Sequence, residues 1–500
     1  MSQLDRLKTR LGEIRDLRAA AAVLGWDQQT YMPPGGAAAR SEQLATLERL
    51  SHETFISPEV GELLELAAAE TADLPYDSDE TSLIRITRRD YEKARKVPPS
   101  LVAEIARTTS QGIEVWTNAK AQSDFALFRP VLKRIFQLEQ DLARCLEFDE
   151  HIYDALLDQY EPGMKTNVLK ALFVDLRQYL VPLVQSISQS RRHVDDSALH
   201  QLYDPQKQWD FGVEVLKRFG YDLKRGRQDK SAHPFTTSFS VNDVRITTRI
   251  DEGFLPSALF STLHECGHAL YEQGVSHSLE RTPLGGGASL GIHESQSRLW
   301  ENLIGRSRGF WQFFFPRLQS IFPQALSKIS FEGFYRAINL VQPSLIRVEA
   351  DEVTYNLHVL LRFELEVEIL DNRLNVDDLP EAWNSKMKTY LGMIPPDDTQ
   401  GVLQDVHWSN GLIGYFPTYT LGNLISTQLF EAATRECPAI LEQLEQGEFS
   451  ELLNWLRRHV HQHGRKFLPT ELAERATGKP LQADTYLKYL REKVADIYGI

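Results

Sequence analysis

The sequence predicts a mostly α-helical protein that carries one small β-element. Apolar residues recur every three or four positions, the spacing of an amphipathic helix, in three long segments: 4–17, 131–142 and 168–183. By contrast, residues 235–250 (FTTSFSVNDVRITTRI) are rich in Thr, Val, Ile and Phe, with Asn242-Asp243 at their centre, which is typical of a β-hairpin. No internal repeat or low-complexity linker divides the chain. We therefore predict a single, mostly helical domain over residues 1–500 with a β-insert at about 235–250.

The strongest helical signal follows the hairpin directly, at about 256–271. Pro256 suits the first turn of a helix, where a missing N–H leaves no internal partner unpaired, and Gly274 suits the end. The run Gly285–Gly287 predicts a flexible loop, and no Lys-Ser/Thr follows it at the spacing of a phosphate-binding loop. After this loop, a second helix is predicted to begin near His293.

The composition narrows the class of function. The chain has 55 Lys and Arg against 69 Asp and Glu, a net charge of −14, and a nucleic-acid partner would need clustered positive charge. Its three cysteines are too few for a disulfide framework and fit a reducing compartment. No apolar run reaches the roughly 18 residues of a membrane span, and the charged N-terminus has no signal-peptide core. We expect a cytoplasmic protein that binds neither nucleic acid nor membrane.

The predicted helix at 256–271 contains the sequence His-Glu-Cys-Gly-His at 264–268. Side chains four positions apart lie on the same face of a helix, so His264 and His268 can both reach one metal ion. Glu265 lies one step around the helix, where its carboxylate can act on a metal-bound water without being a ligand. The alternative is a helix with two exposed histidines. We expect a catalytic zinc site with Glu265 as the base.

Such a site needs a third protein ligand and an open position for water. Glu294, in the His-Glu-Ser-Gln sequence at 293–296, is the best candidate. The alternative for Glu294 is a carboxylate that only stabilises the N-terminus of its helix. Glu301 lies seven residues further on, where it is either an acceptor for a ligand histidine or a solvated charge.

Two other groups of residues resemble metal sites but are incomplete in the sequence. Glu265 and His268 match half of a di-iron carboxylate site, but no other histidine has a Glu three residues before it. His459, His461 and His463 lack a carboxylate placed to complete a site, so they fit a solvated helix face.

An ordered set of motifs resembles one family, the Taq-type metallocarboxypeptidases. The set is His233-Pro-Phe235, Asp243-Val-Arg245-Ile-Thr247, HECGH at 264–268, HESQ at 293–296, Ile346-Arg347-Val-Glu-Ala350-Asp351 and Gly401-Val-Leu-Gln404-Asp405-Val-His407-Trp408. The segments 26–33 and 486–490 also look like the family. The resemblance therefore covers nearly the whole chain and is far more specific than the HECGH motif alone.

The resemblance implies a helical body with a deep active-site groove, similar in fold to angiotensin-converting enzyme and neurolysin. It implies a homodimer that removes single residues from the free C-termini of peptides. Zinc is the metal that it implies, and cobalt often substitutes in such enzymes.

The oxyanion formed during peptide hydrolysis needs hydrogen-bond donors beside the metal. His407, Tyr415 and Tyr419 lie in one Gly-rich aromatic segment, HWSNGLIGYFPTY. The gap from His407 to Tyr419 is similar to that of a His/Tyr pair in the related helical peptidases. We take Tyr419 as the donor and Tyr415 as the reserve, and the alternative for either is an interior aromatic with a satisfied hydroxyl.

Substrate recognition is assigned partly by chemistry and partly by the resemblance. Arg347 is the candidate for the terminal carboxylate, because a guanidinium can bind a carboxylate through two hydrogen bonds. The alternative is an ion pair with Asp351, four residues along the same helix. Arg245 is a second candidate, although it also suits a structural role in the hairpin. By resemblance, His233 holds a substrate carbonyl, while the hairpin edge pairs with the peptide backbone.

Two other functions stay open from the sequence. A helical metallo-oligopeptidase that cuts internally or releases dipeptides would have the same metal site, and it differs only in how it recognises the end of its substrate. A non-catalytic binding protein with the same fold is the other alternative, and the complete His-Glu-His-Glu set argues against it.

Overall fold

The computed structural model describes residues 1–500 and confirms the mostly helical fold class. The strands are β1 (Gly226–Lys230), β2 (Thr236–Ser240) and β3 (Asp243–Thr248). The helices are α1 (Gln3–Thr30), α2 (Ala37–Phe55), α3 (Pro58–Glu70), α4 (Asp79–Lys96), α5 (Pro99–Gln122), α6 (Phe125–Leu146), α7 (Ile152–Leu157), α8 (Thr166–Ser188), α9 (Pro205–Phe219), α10 (Leu255–Gly274), α11 (Leu290–Arg298), α12 (Arg308–Ile321), α13 (Pro323–Leu326), α14 (Phe331–Ala337), α15 (Tyr355–Leu370), α16 (Leu379–Leu391), α17 (Pro417–Glu436), α18 (Ala439–Glu445), α19 (Ser450–His459), α20 (Pro469–Thr477) and α21 (Asp484–Tyr498). No helix combines the length and the hydropathy that crossing a membrane requires.

The chain forms two compact units. Unit 1 consists of Met1–Arg95, Asp195–Ile338 and Ile425–Pro480, and unit 2 of Lys96–Val194, Asn339–Leu424 and Leu481–Ile500. A compact unit need not fold independently, so these two units do not decide how many domains the chain has. The single-domain interpretation therefore stays a prediction.

Unit 1 contains the β-element, and the predicted hairpin is confirmed. Strands β2 and β3 pair antiparallel, with an irregularity between Ser238 and Ser240. The third strand, β1, pairs parallel with β3, so the order is β1-β3-β2 and β2 lies at an edge. Strand β1 was not predicted, because GRQDK has no apolar alternation and a parallel partner leaves no hairpin signal.

Helix α10 is the central element of unit 1 and confirms the predicted helix. It has Pro256 in its first turn and Gly274 as its last residue. It packs against β3, against α9 and against α11, so most of its surface is buried. A helix enclosed on so many sides holds its side chains rigidly, which suits a site that needs fixed ligands.

Unit 2 is organised around α15, which is buried on almost all of its surface. Only Glu364 and Glu368 on this helix are partly exposed. Four polar residues therefore lie in the interior of unit 2: Asn356, His358, Arg362 and Glu366. The hydrogen bonds of Asn356, Arg362 and Glu366 fix how the neighbouring segments lie against α15.

Candidate metal centre

The structure brings His264, His268 and Glu294 together. The Nε2 atoms of His264 and His268 lie 3.7 and 3.6 Å from Oε2 of Glu294. One ligand atom from each residue lies within 4.8 Å of the other two. Two imidazole nitrogens and one carboxylate oxygen, converging in this way, are the donor set of a catalytic zinc site.

Gly267 explains how Glu294 comes so close to α10. A Cβ at Gly267 would lie 2.5 Å from the Gln296 carbonyl oxygen and 2.6 Å from the Ser297 Cα, so only glycine lets α11 pack at this distance. This role of Gly267 was not predicted from the sequence. The available signal was a glycine in the interior of an otherwise good helix, which disfavours the helix unless packing requires it.

Each oxygen of Glu294 has its own surroundings. Arg298 Nε donates to Oε1 over 2.7 Å, which leaves Oε2 directed towards the two histidines. The Ser297 hydroxyl donates to Oε2 over 3.2 Å. Glu294 is 6% exposed, so these contacts hold it where a single oxygen faces the imidazoles.

Glu301 accepts a hydrogen bond from His264, with Nδ1 of the ring 2.9 Å from Oε2. It lies in a π-helical turn, Leu299–Ile304, an irregularity that often marks functional sites. Burial would raise the pKa of the Glu301 carboxyl, but Arg298 and His264 lower it to about 2. Of the two sequence interpretations of Glu301, the acceptor is confirmed and the solvated charge is wrong.

Glu265 is buried beside the β-element. Its Oε2 accepts a hydrogen bond of 2.6 Å from the Thr236 hydroxyl on β2. Burial raises the pKa of the Glu265 carboxyl, while His264 and Thr236 oppose that shift. The hairpin therefore touches the predicted base directly, a contact that links two elements predicted separately from the sequence.

The electrostatics of this region fit a divalent cation. Burial alone would lower the pKa of His264, but Glu294, Glu301 and Glu265 raise it to about 9. That shift reports a strongly negative surrounding, which attracts positive charge to the imidazole. The residues present therefore suit a metal ion by both donor type and charge.

The glycine loop before α11, predicted as flexible, is anchored in the structure. Arg15 donates to the Gly285 carbonyl over 2.8 Å, and the Arg465 amide donates to the Leu284 carbonyl. The Gly287 amide donates to Glu272, and the next amide donates to the Tyr271 hydroxyl.

In unit 2, Arg347 is buried and paired. Its Nε and Nη2 donate to Oδ1 of Asp405 over 3.0 and 2.8 Å, and Nη1 donates to the Tyr355 hydroxyl. Arg362 donates to the other oxygen of Asp405 over 2.6 Å. The alternative partner, Asp351, is wrong: residues 347–349 form a 3-10 turn, and Asp351 instead accepts from backbone amides, Val353 among them.

The predicted His/Tyr pair is also in unit 2. His407 Nε2 lies 3.1 Å from the Tyr419 hydroxyl. Burial lowers the pKa of His407 to about 4, so the ring is neutral near pH 7. Tyr415 packs against both His407 and Tyr419, with ring centroids 5.3 and 5.4 Å away. The three residues therefore form one aromatic cluster.

Arg245 and His233 differ in their surroundings. Arg245 forms two hydrogen bonds of 2.8 Å with Asp243 and stacks over the Trp26 ring at 4.4 Å. This arrangement joins β3 to α1 and favours the structural role. His233 is exposed just before β2, and its carbonyl accepts from Ser231.

Comparisons with known proteins decide the family. Residues 6–494 match the family described as Carboxypeptidase Taq (M32) metallopeptidase. The chain belongs to this family. It is 45% identical to thermostable carboxypeptidase 1 of Thermus thermophilus over 97% of this chain and 96% of the relative, and 38% identical to carboxypeptidase 1 of Bacillus subtilis over 98% and 97%. It is similar to the crystal structure of the M32 carboxypeptidase from Deinococcus radiodurans R1, with a TM-score of 0.96, 42% identity and full coverage of both chains.

The protein is therefore an enzyme, a metallocarboxypeptidase, and its family implies a divalent metal and peptide substrates.

Within this metallocarboxypeptidase, one histidine departs from its sequence interpretation. His461 is not on a solvated face: it is fully buried, with Nε2 2.9 Å from Oε1 of Gln296. Its partner lies 165 residues away, so no local pattern could have shown the contact.

Proposed function

We propose that this metallocarboxypeptidase removes single residues from peptide C-termini at a zinc ion held by His264, His268 and Glu294. The observation that carries the proposal is the convergence of these three donors next to the buried carboxylate of Glu265. A bound zinc ion supplies Lewis acidity, polarising the scissile carbonyl and making water acidic. Cobalt is expected to replace zinc, because the same nitrogen and oxygen donors suit it.

Glu265 acts as the general base in this proposal. It accepts a proton from the attacking water and returns it to the leaving amine. Thr236 donates to one of its oxygens over 2.6 Å, which fixes the rotation of the carboxylate and leaves the other oxygen for the water. Because Glu265 is not one of the three converging donors, its removal should affect the chemistry more than the metal.

The proposed donor to the oxyanion is Tyr419, with His407 as its partner and Tyr415 as the reserve. A hydroxyl hydrogen-bonded to a neutral imidazole can be held in one orientation, which is what a preorganised donor requires. Tyr419→Phe should lower kcat by roughly 10²-fold, as loss of an oxyanion donor does. An unchanged kcat would transfer the role to Tyr415.

For the C-terminal carboxylate, Arg347 is the proposed partner, with Arg245 as the second candidate and His233 for a substrate carbonyl. Arg347 shares Asp405 with Arg362, so two guanidinium groups face one carboxylate of the protein. This excess of positive charge supports the binding of a second carboxylate, that of the substrate.

The remaining parts of the proposal concern the state of the protein. We propose a cytoplasmic homodimer without nucleic-acid or membrane partners, as the resemblance and the acidic composition suggest. Light scattering should give twice the chain mass of 57.2 kDa. A mass of one chain would contradict the dimer and leave the catalytic proposal intact.

The decisive experiment compares two peptides of the same sequence, one with a free C-terminus and one amidated. The zinc-loaded enzyme should release one amino acid at a time from the free acid and act poorly on the amide. Enzyme stripped by a chelator should regain activity with zinc, and with cobalt. Rapid cleavage of the amidated peptide, or release of dipeptides, would instead establish the oligopeptidase alternative.

A further inference from the structure

The two predicted ligand histidines differ in the hydrogen-bond partner of their Nδ1 atom. Nδ1 of His264 meets a carboxylate directly, that of Glu301 at 2.9 Å. Nδ1 of His268 meets another imidazole: Nδ1 of His293 lies 2.9 Å away. On its far side, Nε2 of His293 lies 2.7 Å from Oε1 of Glu272. His268 is therefore connected to a carboxylate through one intervening ring.

The direction of these hydrogen bonds follows from the chemistry of Glu272. The Gly287 amide also donates to Oε1 of Glu272, over 3.1 Å, so this oxygen is an acceptor. His293 must then donate to it from Nε2. A neutral imidazole carries one N–H, which leaves Nδ1 of His293 as an acceptor. When His293 is neutral, the proton of the 2.9 Å contact therefore comes from Nδ1 of His268.

This order of donors determines which nitrogen of His268 can bind a metal. With its single proton on Nδ1, His268 keeps the lone pair of Nε2, the atom that faces Glu294 at 3.6 Å. The opposite tautomer would place a proton on Nε2 and exclude a cation there. The tautomer of a metal-binding histidine is generally set by the hydrogen bond of its second nitrogen.

We propose that Glu272 and His293 are positioning residues, which form a carboxylate–imidazole pair that holds His268 in its metal-binding tautomer and ring orientation. The proposal rests on the metal site proposed above and adds two residues that do not touch the metal. It also assigns a role to the histidine of the HESQ sequence, which comes one residue before Glu294.

The test measures zinc affinity in two variants that differ only in the acceptor. His293→Asn keeps an oxygen at the place of Nδ1, while His293→Leu has a similar shape and no acceptor. Zinc binding to the metal-free protein is measured by competition with a chelating dye. His293→Leu should weaken zinc binding by about 10–100-fold, the usual effect of removing a partner of a ligand, and His293→Asn should recover most of that loss.

Tyr271→Phe is the matched control. The Tyr271 ring packs 5.0 Å from that of His293, and its hydroxyl accepts from the Ala288 amide. The variant removes only the hydroxyl, so it loosens the same loop and keeps the ring beside His293. Its zinc affinity should stay near that of the unmodified chain. Thermal melting of each metal-free variant shows whether the fold is preserved. If His293→Leu does not fold, the same comparison is made at Glu272, between Glu272→Met, which has no acceptor, and Glu272→Gln, which keeps one.

The outcomes separate this proposal from the metal site itself. Equal weakening in the Leu and Asn variants, or the same weakening in Tyr271→Phe, would overturn the positioning role, because the acceptor would not matter. Zinc binding that is lost in His264→Ala but unchanged in every His293 and Glu272 variant would overturn it while keeping the metal site. An unmodified chain that binds no zinc would overturn both.

Discussion

The metal centre of unit 1 and the arginine cluster of unit 2 both bury charged groups, but the balance of charge is opposite. Around His264 and His268, the carboxylates of Glu265, Glu294 and Glu301 are buried or nearly so, and they outnumber the cations in contact with them. These three carboxylates raise the pKa of His264 to about 9. Such surroundings favour a cation, as the proposed metal site requires.

In unit 2 the excess is positive. Arg347 and Arg362 share the single carboxylate of Asp405, and both guanidinium groups are buried. Burying charge is costly unless an opposite charge meets it, so the proposed metal site and the proposed carboxylate site differ in the sign of the charge that they favour. The comparison teaches that the surplus charge of a buried cluster, more than the identity of one residue, distinguishes a cation site from an anion site.

The largest expected effect comes from removing the base while keeping the three converging donors. Glu265→Gln should reduce kcat by roughly 10²–10⁴-fold, because the water loses its proton acceptor. Zinc content should stay near one ion per chain, since the converging donors do not include Glu265. Metal analysis beside steady-state kinetics checks both. Loss of zinc in this variant would show that Glu265 supports the metal site itself.

In the arginine cluster of unit 2, Arg347→Ala should lower kcat/KM on free-acid peptides. The loss of transition-state stabilisation should be about 3–5 kcal/mol, the range for breaking a buried charge pair. The loss on amidated peptides should be small, because they carry no terminal carboxylate. The difference between the two losses isolates carboxylate binding from general damage to the fold. Equal losses would mean that Arg347 serves only to pair with Asp405.

The close approach of α10 and α11 can be broken without changing any charge. Gly267→Ala would place a methyl group 2.5 Å from the Gln296 carbonyl oxygen, so the helices must separate. We expect zinc affinity to fall and stability to drop by about 1–3 kcal/mol, as overpacking does. Gly25→Ala is the control, since a Cβ there meets nothing within 4 Å and α1 should gain about 0.5–1 kcal/mol. Equal behaviour of the two variants would remove the packing role of Gly267.

The smallest effect concerns a buried acid of unit 2 outside the arginine cluster. Burial raises the pKa of the Glu139 carboxyl to about 8 from an ordinary value of 4.5. The folded state therefore holds a proton that the unfolded state releases, so this contribution to stability is complete below about pH 4.5 and is lost as pH rises through 8. Between pH 5 and pH 9, the free energy of unfolding of Glu139→Gln should rise by at least about 1 kcal/mol relative to that of the unmodified chain. Melting at several pH values measures it, and a constant difference would contradict the shifted pKa.

Local patterns were sufficient for the elements that carry the site. The spacing of apolar residues predicted α1, α6 and α8, and α10 was predicted to within a few residues at both ends. The hairpin was predicted from β-branched residues around a turn, whereas β1 was missed because its partner is parallel and distant in sequence. Helix periodicity acts over four residues, while strand pairing can join any two segments.

For the site, the sequence by itself determined which residues are adjacent on one helix. His264, Glu265 and His268 follow from a spacing of one turn, and Glu294 followed from the residue types that zinc requires. Tertiary structure decided which residues pair with them, including which of the two interpretations of Glu301 holds. Glu301 behind His264, the Glu272–His293 pair behind His268 and Asp405 beside Arg347 are contacts between segments from 21 to 58 residues apart. Such contacts depend on how the elements pack, and packing is set by the whole fold, so no local spacing encodes them.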